Sequence, residues 1–233
     1  MTMKILYEDK NQIVVYKPAG IATQTARLGE KDLVSEVKNY ICKTDKKTNP
    51  YVGVINRLDQ PVEGIVLFAK NAKTASDLSL QMQNGTMRKF YFAAVFGGME
   101  VPKGVLTDYL QKDGRTNTSK VVLDKTKDAK KAILQYEVKA GKDGISLVEI
   151  ELMTGRHHQI RVQFSHKGHP LIGDTKYGIE ESLSFAKNNG IRVPALCAYK
   201  LIWNHPITKE KIEVMVEPEH SLLKELYINL QEG

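Results

Sequence analysis

Short apolar runs of strand length recur along the chain and outnumber its helical segments. Ile13 to Tyr16 and Gly64 to Ala69 are two such runs, which are typical of β-strands. Ala132 to Val138 and Ile145 to Leu152 alternate apolar and polar residues around a glycine-containing turn, which predicts an antiparallel hairpin. Further strands are predicted at Lys4–Tyr7, Phe90–Phe96, Leu196–Trp203 and Lys211–Val216. Because strands and helices do not alternate regularly, the sequence predicts an α+β fold with a mixed or antiparallel sheet.

Helical spacing of apolar residues is confined to four segments. The first follows a cap at Asp32, and the second starts near Asn71. The third is predicted from Gly155 to Gly168, and the last from about Ser221 to Leu230. The stretch from Gly173 to Pro194 is long for a connector and is expected to form an irregular surface or substrate loop.

No internal repeat, low-complexity tract or linker divides the 233 residues, so residues 1–233 are predicted to form a single domain. The longest uncharged run falls far short of the roughly 20 apolar residues that span a membrane. The start of the chain has no export signal, and its two cysteines, Cys42 and Cys197, lie in apolar contexts. We therefore expect reduced thiols and a cytoplasmic location. The protein is also expected to be a monomer.

The chain is basic, with 34 lysines and arginines against 27 acidic residues and a formal charge of +7. A basic excess favours polyanionic partners, because neutralising phosphates releases their counterions. A solvated basic surface without nucleic acid explains the charge equally well. Composition alone therefore indicates a class of partner but does not choose between these alternatives.

Arg57 and Asp59 lie two residues apart in a loop between two apolar runs, with Pro61 and Gly64 close behind. Loops held by strands are where reactive side chains commonly face a substrate. A structural Arg–Asp pair that fixes the loop is the simpler explanation of this segment taken alone.

The segment from Thr154 to Asp174 holds four of the six histidines. A predicted helix start offers free N–H groups suited to anions. Zinc sites recruit cysteines, or histidines at set spacings with an acidic partner, and neither pattern is present. A basic face contacting phosphate is therefore favoured over a metalloenzyme, and no metal or cofactor site is predicted.

Together the segments resemble the RluA-type RNA pseudouridine synthases over nearly the whole length. Asn56-Arg57-Leu58-Asp59 with Gly64 is similar to the family's catalytic HRLD motif, and Lys89-x-Tyr91-x-Ala93 to its K-x-Y-x-A strand. Gly155-Arg156-His157-His158-Gln159-Ile160-Arg161, followed by Gly168-His169-Pro170 and Gly173-Asp174, resembles its GR-x-HQIR…GHP…GD signature. The opening Lys17-Pro18-Ala19-Gly20 resembles the family's KPxG start.

The resemblance implies an isomerase that converts uridine in ribosomal or transfer RNA to pseudouridine without a cofactor. It implies a long, bent, mainly antiparallel sheet with flanking helices and loops around a central catalytic cleft. In this interpretation Asp59 starts the reaction, Tyr91 packs on the base and Arg161 pairs with Asp59. The expected substrate-binding residues are Arg57, Arg156, His158 and Gln159. The residues expected to contact phosphates are Lys17, Arg27, Arg115, Lys120 and Lys176.

Three positions depart from the family pattern. Asn56 stands where histidine is more common, Pro61-Val62-Glu63 replaces the usual residues before the glycine, and His157 occupies a position usually held by Thr or Ser. Since Asp59, Tyr91 and Arg161 are kept, the departures bear on the substrate more than on the reaction. We also expect that no small N-terminal RNA-binding domain precedes the catalytic domain. A catalytically silent RNA-binding protein or RNA chaperone on the same fold is the alternative.

Overall fold

The computed structural model describes residues 3–25, 29–46 and 48–232. This part of the chain contains eleven strands and five helices. The strands are β1 (Lys4–Glu8), β2 (Gln12–Lys17), β3 (Gly53–Val54), β4 (Glu63–Ala69), β5 (Arg88–Phe96), β6 (Lys103–Asp113), β7 (Thr118–Val122), β8 (Lys130–Lys142), β9 (Ile145–Leu152), β10 (Leu196–Asn204) and β11 (Lys211–Met215). The helices are α1 (Leu33–Thr44), α2 (Ala72–Gln83), α3 (Gln159–His166), α4 (Glu180–Asn188) and α5 (Ser221–Glu232). None of the helices in the described ranges is long and apolar enough to cross a membrane.

The chain divides into two compact units. The first contains the described residues of 1–88 and 198–216, and the second those of 89–197 and 217–233. Each unit is assembled from segments that are distant in sequence, so no single chain position separates them. That the 233 residues act as a single catalytic domain stays a prediction.

The first unit is built on strands in the order β1-β2-β4-β10, with β3 beside β4 and β11 beside β10. The pairs β1–β2, β2–β4, β3–β4 and β10–β11 run antiparallel. Leu67 of β4, Leu78 of α2 and Trp203 of β10 pack in one buried cluster. The indole N–H of Trp203 donates to Oε1 of Gln12 at 3.0 Å, so this buried donor has an acceptor.

The second unit is built on the antiparallel order β5-β9-β8-β6-β7. The predicted hairpin is confirmed as β8 and β9, and the register shifts once between Val138 and Ala140. Val162 of α3 packs with Leu110 and Ala132 against this sheet. The predicted α+β class with a mainly antiparallel sheet is therefore confirmed.

Two helix predictions need correction. Helix α3 begins at Gln159 rather than Gly155, because residues 157–158 form a turn in which His158 has a left-handed backbone conformation with a φ of 54°. The segment expected to be irregular contains helix α4, whose first turn is capped where the Ile179 N–H donates to the Ser182 hydroxyl at 3.0 Å. Only Ser182 and Ala186, four residues apart, are buried on α4. So narrow a buried stripe in a polar sequence gives little helical periodicity to detect.

Candidate active site

The loop carrying Asp59 is anchored through its backbone. The Thr23 hydroxyl donates to the Leu58 carbonyl at 3.0 Å and accepts from the Leu58 N–H at 3.2 Å, so one side chain satisfies both backbone groups. A turn follows at once, in which the Val62 N–H donates to the Asp59 carbonyl at 3.0 Å. These hydrogen bonds hold the backbone on both sides of Asp59 in place.

Asn56 connects the start of this loop to strand β4. Its side chain is buried; Nδ2 donates to the Ile65 carbonyl at 3.0 Å, and Oδ1 accepts from the Leu67 N–H at 2.8 Å. One amide can both donate and accept in this way, which extends the sheet's hydrogen bonding into the loop. Asn56, a departure from the family pattern, therefore has a definite structural role here.

Lys17 holds the other side of the loop and is fully buried. Its Nζ donates to the carbonyls of Pro18, Ile21 and Gln60 at 3.0, 2.7 and 3.0 Å. Burial lowers the pKa of Lys17 to about 8, and the negative charges of Asp59 and Glu63 oppose that shift. The expectation that Lys17 contacts an RNA phosphate is wrong, because all three ammonium protons are directed into the protein.

The anchored backbone leaves two ionisable side chains of the loop accessible. Arg57 is exposed and Asp59 is half-buried. The following Gly64 has a φ of +124°, and a Cβ there would collide with the backbone carbonyl of Ala198. Only glycine lets the strand leave the loop so close to β10. The result is a carboxylate on a rigid support, as a reacting group requires.

Tyr91 and Arg161 lie in the second unit, each in a constrained place. Tyr91 is 6% exposed in β5, opposite Ile150 of β9. Arg161 is buried in α3, where Nε and Nη2 donate to the two carboxylate oxygens of Asp174 at 2.6 and 2.7 Å. The guanidinium carbon also lies 5.1 Å from the ring centroid of Tyr177. A bidentate ion pair and an aromatic ring thus fix the orientation of the Arg161 cation.

Gln159 organises the turn that precedes α3. Its Oε1 accepts from the Thr154 hydroxyl at 2.8 Å and from the Arg156 N–H at 3.0 Å, while Nε2 donates to the Ile133 carbonyl at 3.1 Å. Arg156 is exposed at this turn and donates from Nε to the Lys131 carbonyl at 2.9 Å. Gln159 therefore fixes the turn that exposes Arg156 to solvent. Both Oε1 and Nε2 of Gln159 form hydrogen bonds within the protein.

His157 and His158 stack with ring centroids 3.7 Å apart. His157 forms hydrogen bonds with the Ser119 hydroxyl at 2.9 Å and Oδ1 of Asn117 at 3.2 Å. Buried His158 bonds through Nδ1 to the Tyr177 hydroxyl at 2.7 Å. The stack therefore connects the start of α3 to strand β7 and to the turn before it.

Comparisons with known proteins identify the family. The sequence profile described as RNA pseudouridylate synthase matches residues 11–166. The chain belongs to this family. It is 34% identical to the uncharacterized RNA pseudouridine synthase YhcT of Bacillus subtilis (strain 168), over 90% of this chain and 67% of that protein. It is 30% identical to tRNA pseudouridine synthase C of Pasteurella multocida (strain Pm70), over 92% of this chain and 90% of that protein.

The fold agrees with the family assignment. The solved structure of human RNA pseudouridylate synthase domain containing 4 has a TM-score of 0.78 to this chain at 20% identity, covering 97% of this chain and 93% of that one. This likeness shows the pseudouridine synthase fold. The chain is thus an RNA pseudouridine synthase, an isomerase, and its substrate is RNA.

Four other basic residues of the synthase were expected to contact RNA phosphates. Arg115, Lys120 and Lys176 are exposed in the second unit, and Nζ of Lys176 donates to the Asn117 carbonyl at 2.9 Å. Arg27 lies outside the described residues. Contacts of these side chains with RNA stay predictions.

Sequence reasoning gave no individual role to several residues that shape the site. Asp174 follows the apolar run Leu171-Ile172 and is fully buried, so an acidic residue in that context was an available signal for a paired charge. Thr23 and Tyr177 carry no comparable signal, because hydroxyls that hold distant backbone are found only once the chain is folded.

Proposed function

We propose that the synthase isomerises a uridine of ribosomal or transfer RNA, with Asp59, Tyr91 and Arg161 as its catalytic residues. The observation that carries this proposal is the Asp59 loop, whose backbone is held by Thr23 and Lys17 while the carboxylate stays accessible. The name of the Pasteurella multocida relative supports transfer RNA as a substrate class. The proposal also includes two expectations from the sequence, namely that the synthase is a monomer and that it acts in the cytoplasm.

The reaction requires that the bond between N1 of uracil and C1′ of ribose breaks and that a bond between C5 and C1′ forms. The proton on C5 is released, and N1 gains one. Asp59 starts this exchange as a carboxylate, either as a nucleophile or as a base. The Lys17 ammonium and the Asp59 carboxylate attract each other.

Tyr91 and Arg161 have distinct roles in this proposal. The flat ring of Tyr91 packs on the uracil, as aromatic side chains commonly do with bases. Arg161 is the residue proposed to pair with the Asp59 carboxylate, and its Nε and Nη2 bonds to Asp174 fix the orientation of its guanidinium. A cation held in advance needs no reorganisation when charge develops during the reaction.

The accessible arginines hold the RNA, and the residues around them position the arginines. Extruding a uridine from folded RNA costs a few kcal/mol, which phosphate and ribose contacts must offset. Exposed Arg57 and Arg156 are suited to those contacts. Gln159 and His158 stay proposed substrate-binding residues, and the protein bonds of the Gln159 amide and of His158 Nδ1 hold both side chains in place.

Release of tritium from RNA labelled at C5 of uridine tests the catalytic role of Asp59. Asp59→Asn keeps the shape of the side chain and removes its charge, so we expect the release rate to fall roughly 10³-fold or more. The matched control is Asp124→Asn, at an exposed position in the second unit, which should release tritium at the parent rate. Equal rates for Asp59→Asn and the parent would show that Asp59 is not catalytic and would favour a different active group.

Mapping pseudouridines in a deletion strain and its parent tests the substrate class. We expect at least one pseudouridine of ribosomal or transfer RNA to be missing in the deletion strain, and to return with the parent gene but not with the Asp59→Asn gene. Loss confined to another class of RNA would overturn the proposed substrate. Restoration by the Asp59→Asn gene would identify a non-catalytic RNA-binding role.

A further inference from the structure

Lys89 of strand β5 is a buried lysine to which the described residues offer no counterion. Its side chain is 8% exposed, and within residues 3–25, 29–46 and 48–232 its ammonium makes no hydrogen bond or ion pair. The charged group that acts on it most is Arg156, which is also a cation. Buried charges are normally paired, so this arrangement requires an explanation.

The electrostatics of this position are unfavourable in the free protein. Burial lowers the pKa of Lys89, and the positive charge of Arg156 lowers it further. An apolar side chain of the same length would fill the space without either cost. A group that destabilises the free protein in this way is typical of a binding site.

The ammonium of Lys89 lies at a point that solvent can reach. A Cβ placed on Gly155 would be 3.5 Å from Nζ of Lys89, and Gly155 itself is exposed. The aliphatic stem is therefore buried while the charged end comes up beneath a residue with no side chain. Arg156, the next residue, is exposed at the same turn, so two cations converge there.

Lys89 is also related to Tyr91 by the geometry of β5. Residues two apart on a strand point to the same face and are separated by about 7 Å. That separation is comparable with the length of one nucleotide. A base packed on Tyr91 would therefore place an adjoining phosphate within reach of Lys89.

We propose that Lys89 and Arg156 form a binding site for one phosphodiester group of the RNA, next to the nucleotide whose base packs on Tyr91. The site rests on the proposed role of Tyr91. One non-bridging oxygen would accept from the Lys89 ammonium and the other from the Nη atoms of Arg156, since Nε of Arg156 is bonded to the Lys131 carbonyl. The anion would supply a countercharge that neither cation finds among the residues that the structure describes.

The salt dependence of RNA affinity tests this site directly. We expect Lys89→Met to weaken binding of an unfractionated transfer RNA pool, or of deproteinised ribosomal RNA, about tenfold. For Lys89→Met, the plot of the logarithm of the RNA association constant against the logarithm of the salt concentration should be less steep than for the parent. The slope should be smaller in magnitude by roughly 0.7 to 0.9, which is the contribution of one neutralised phosphate. The matched control is Lys224→Met in α5, which removes the same charge from an exposed position.

Two comparisons decide the outcome. The proposal is overturned if Lys89→Met and Lys224→Met change affinity and slope equally. Arg156→Gln provides a second variant on an exposed residue, and its effect should not add to that of Lys89→Met, because both side chains act on one phosphate. Additive losses would mean separate contacts. Because binding is measured without turnover, a failure here does not affect the Asp59 test, and a failure of Asp59 leaves this one intact.

Discussion

Two buried lysines of this synthase differ in what surrounds them. Lys17 in the first unit donates to three backbone carbonyls and interacts with two carboxylates. Lys89 in the second unit has, in the described part of the chain, an arginine as its charged neighbour and no acceptor. Both belong to motifs that the sequence shares with the family. The first lysine is a component of the fold, and the second is a component of the RNA-binding surface.

The difference shows why burial alone does not identify a functional residue. A buried ammonium whose protons are all bonded contributes to a rigid loop, here the loop that carries Asp59. An ammonium on a buried stem, with no protein acceptor and with a second cation beside it, weakens the free protein and is stabilised when an anion binds. The hydrogen-bond inventory of a lysine therefore separates the two roles.

Arg161 is a third buried cation, and it extends the comparison to a paired charge. Replacing Asp174 by Asn removes the carboxylate that accepts from Nε and Nη2 of the buried guanidinium, so we expect the free energy of unfolding to fall by about 3–5 kcal/mol. Denaturant unfolding of Asp174→Asn and the parent measures this. A loss below about 1 kcal/mol would show that the Arg161–Asp174 pair does little for the stability of the fold, which would contradict the grouping of Arg161 with Lys17 as a structural cation.

Lys17→Met tests whether Lys17 is structural. It leaves the carbonyls of Pro18, Ile21 and Gln60 without their donor, so we expect the free energy of unfolding at pH 7 to fall by about 2–3 kcal/mol. Tritium release should fall as well, because the Asp59 loop loses an anchor. Lys10→Met, at an exposed position, is the control and should change neither quantity.

The same variant gives a pH dependence of known sign. The pKa of Lys17 is about 8 in the folded protein against 10.5 for an unburied lysine. Between these values the unfolded chain keeps a proton that the folded protein has lost, so raising the pH favours the folded state. The parent should therefore gain about 1.5 kcal/mol over Lys17→Met between pH 8 and pH 9.5. Denaturant unfolding at the two pH values measures this. If the difference in unfolding free energy between the parent and Lys17→Met stays constant or shrinks, the lowered pKa of Lys17 is contradicted.

The sequence predicted the parts of this molecule that depend on local pattern. Apolar alternation located the β8–β9 hairpin, and the cap at Asn71 located the start of α2, because these signals lie within a few residues of their effect. Helix α4 was missed, since its buried stripe is only two residues wide. Motif order identified the family, and the roles of Asp59 and Arg161 depend on that resemblance.

Contacts between distant segments could not be predicted. The bonds of Thr23 to Leu58, 35 residues away, and of Lys17 to Gln60, 43 residues away, leave no periodic trace in the sequence. For the same reason Lys17 was expected at the RNA and Lys89 was not. The sequence of a motif does not show whether the ammonium of its lysine has hydrogen-bond acceptors in the folded protein.

Thermal unfolding of Lys89→Met, with and without RNA, tests the contrast between the two lysines most directly. Without RNA the variant should melt about 2–4 °C above the parent, corresponding to about 1 kcal/mol gained by removing a partly desolvated cation that Arg156 repels. With the transfer RNA pool added, its rise in melting temperature should be smaller than that of the parent. A variant that melts below the parent without RNA, and is stabilised by RNA as much as the parent, would show that Lys89 supports the fold and would contradict the account.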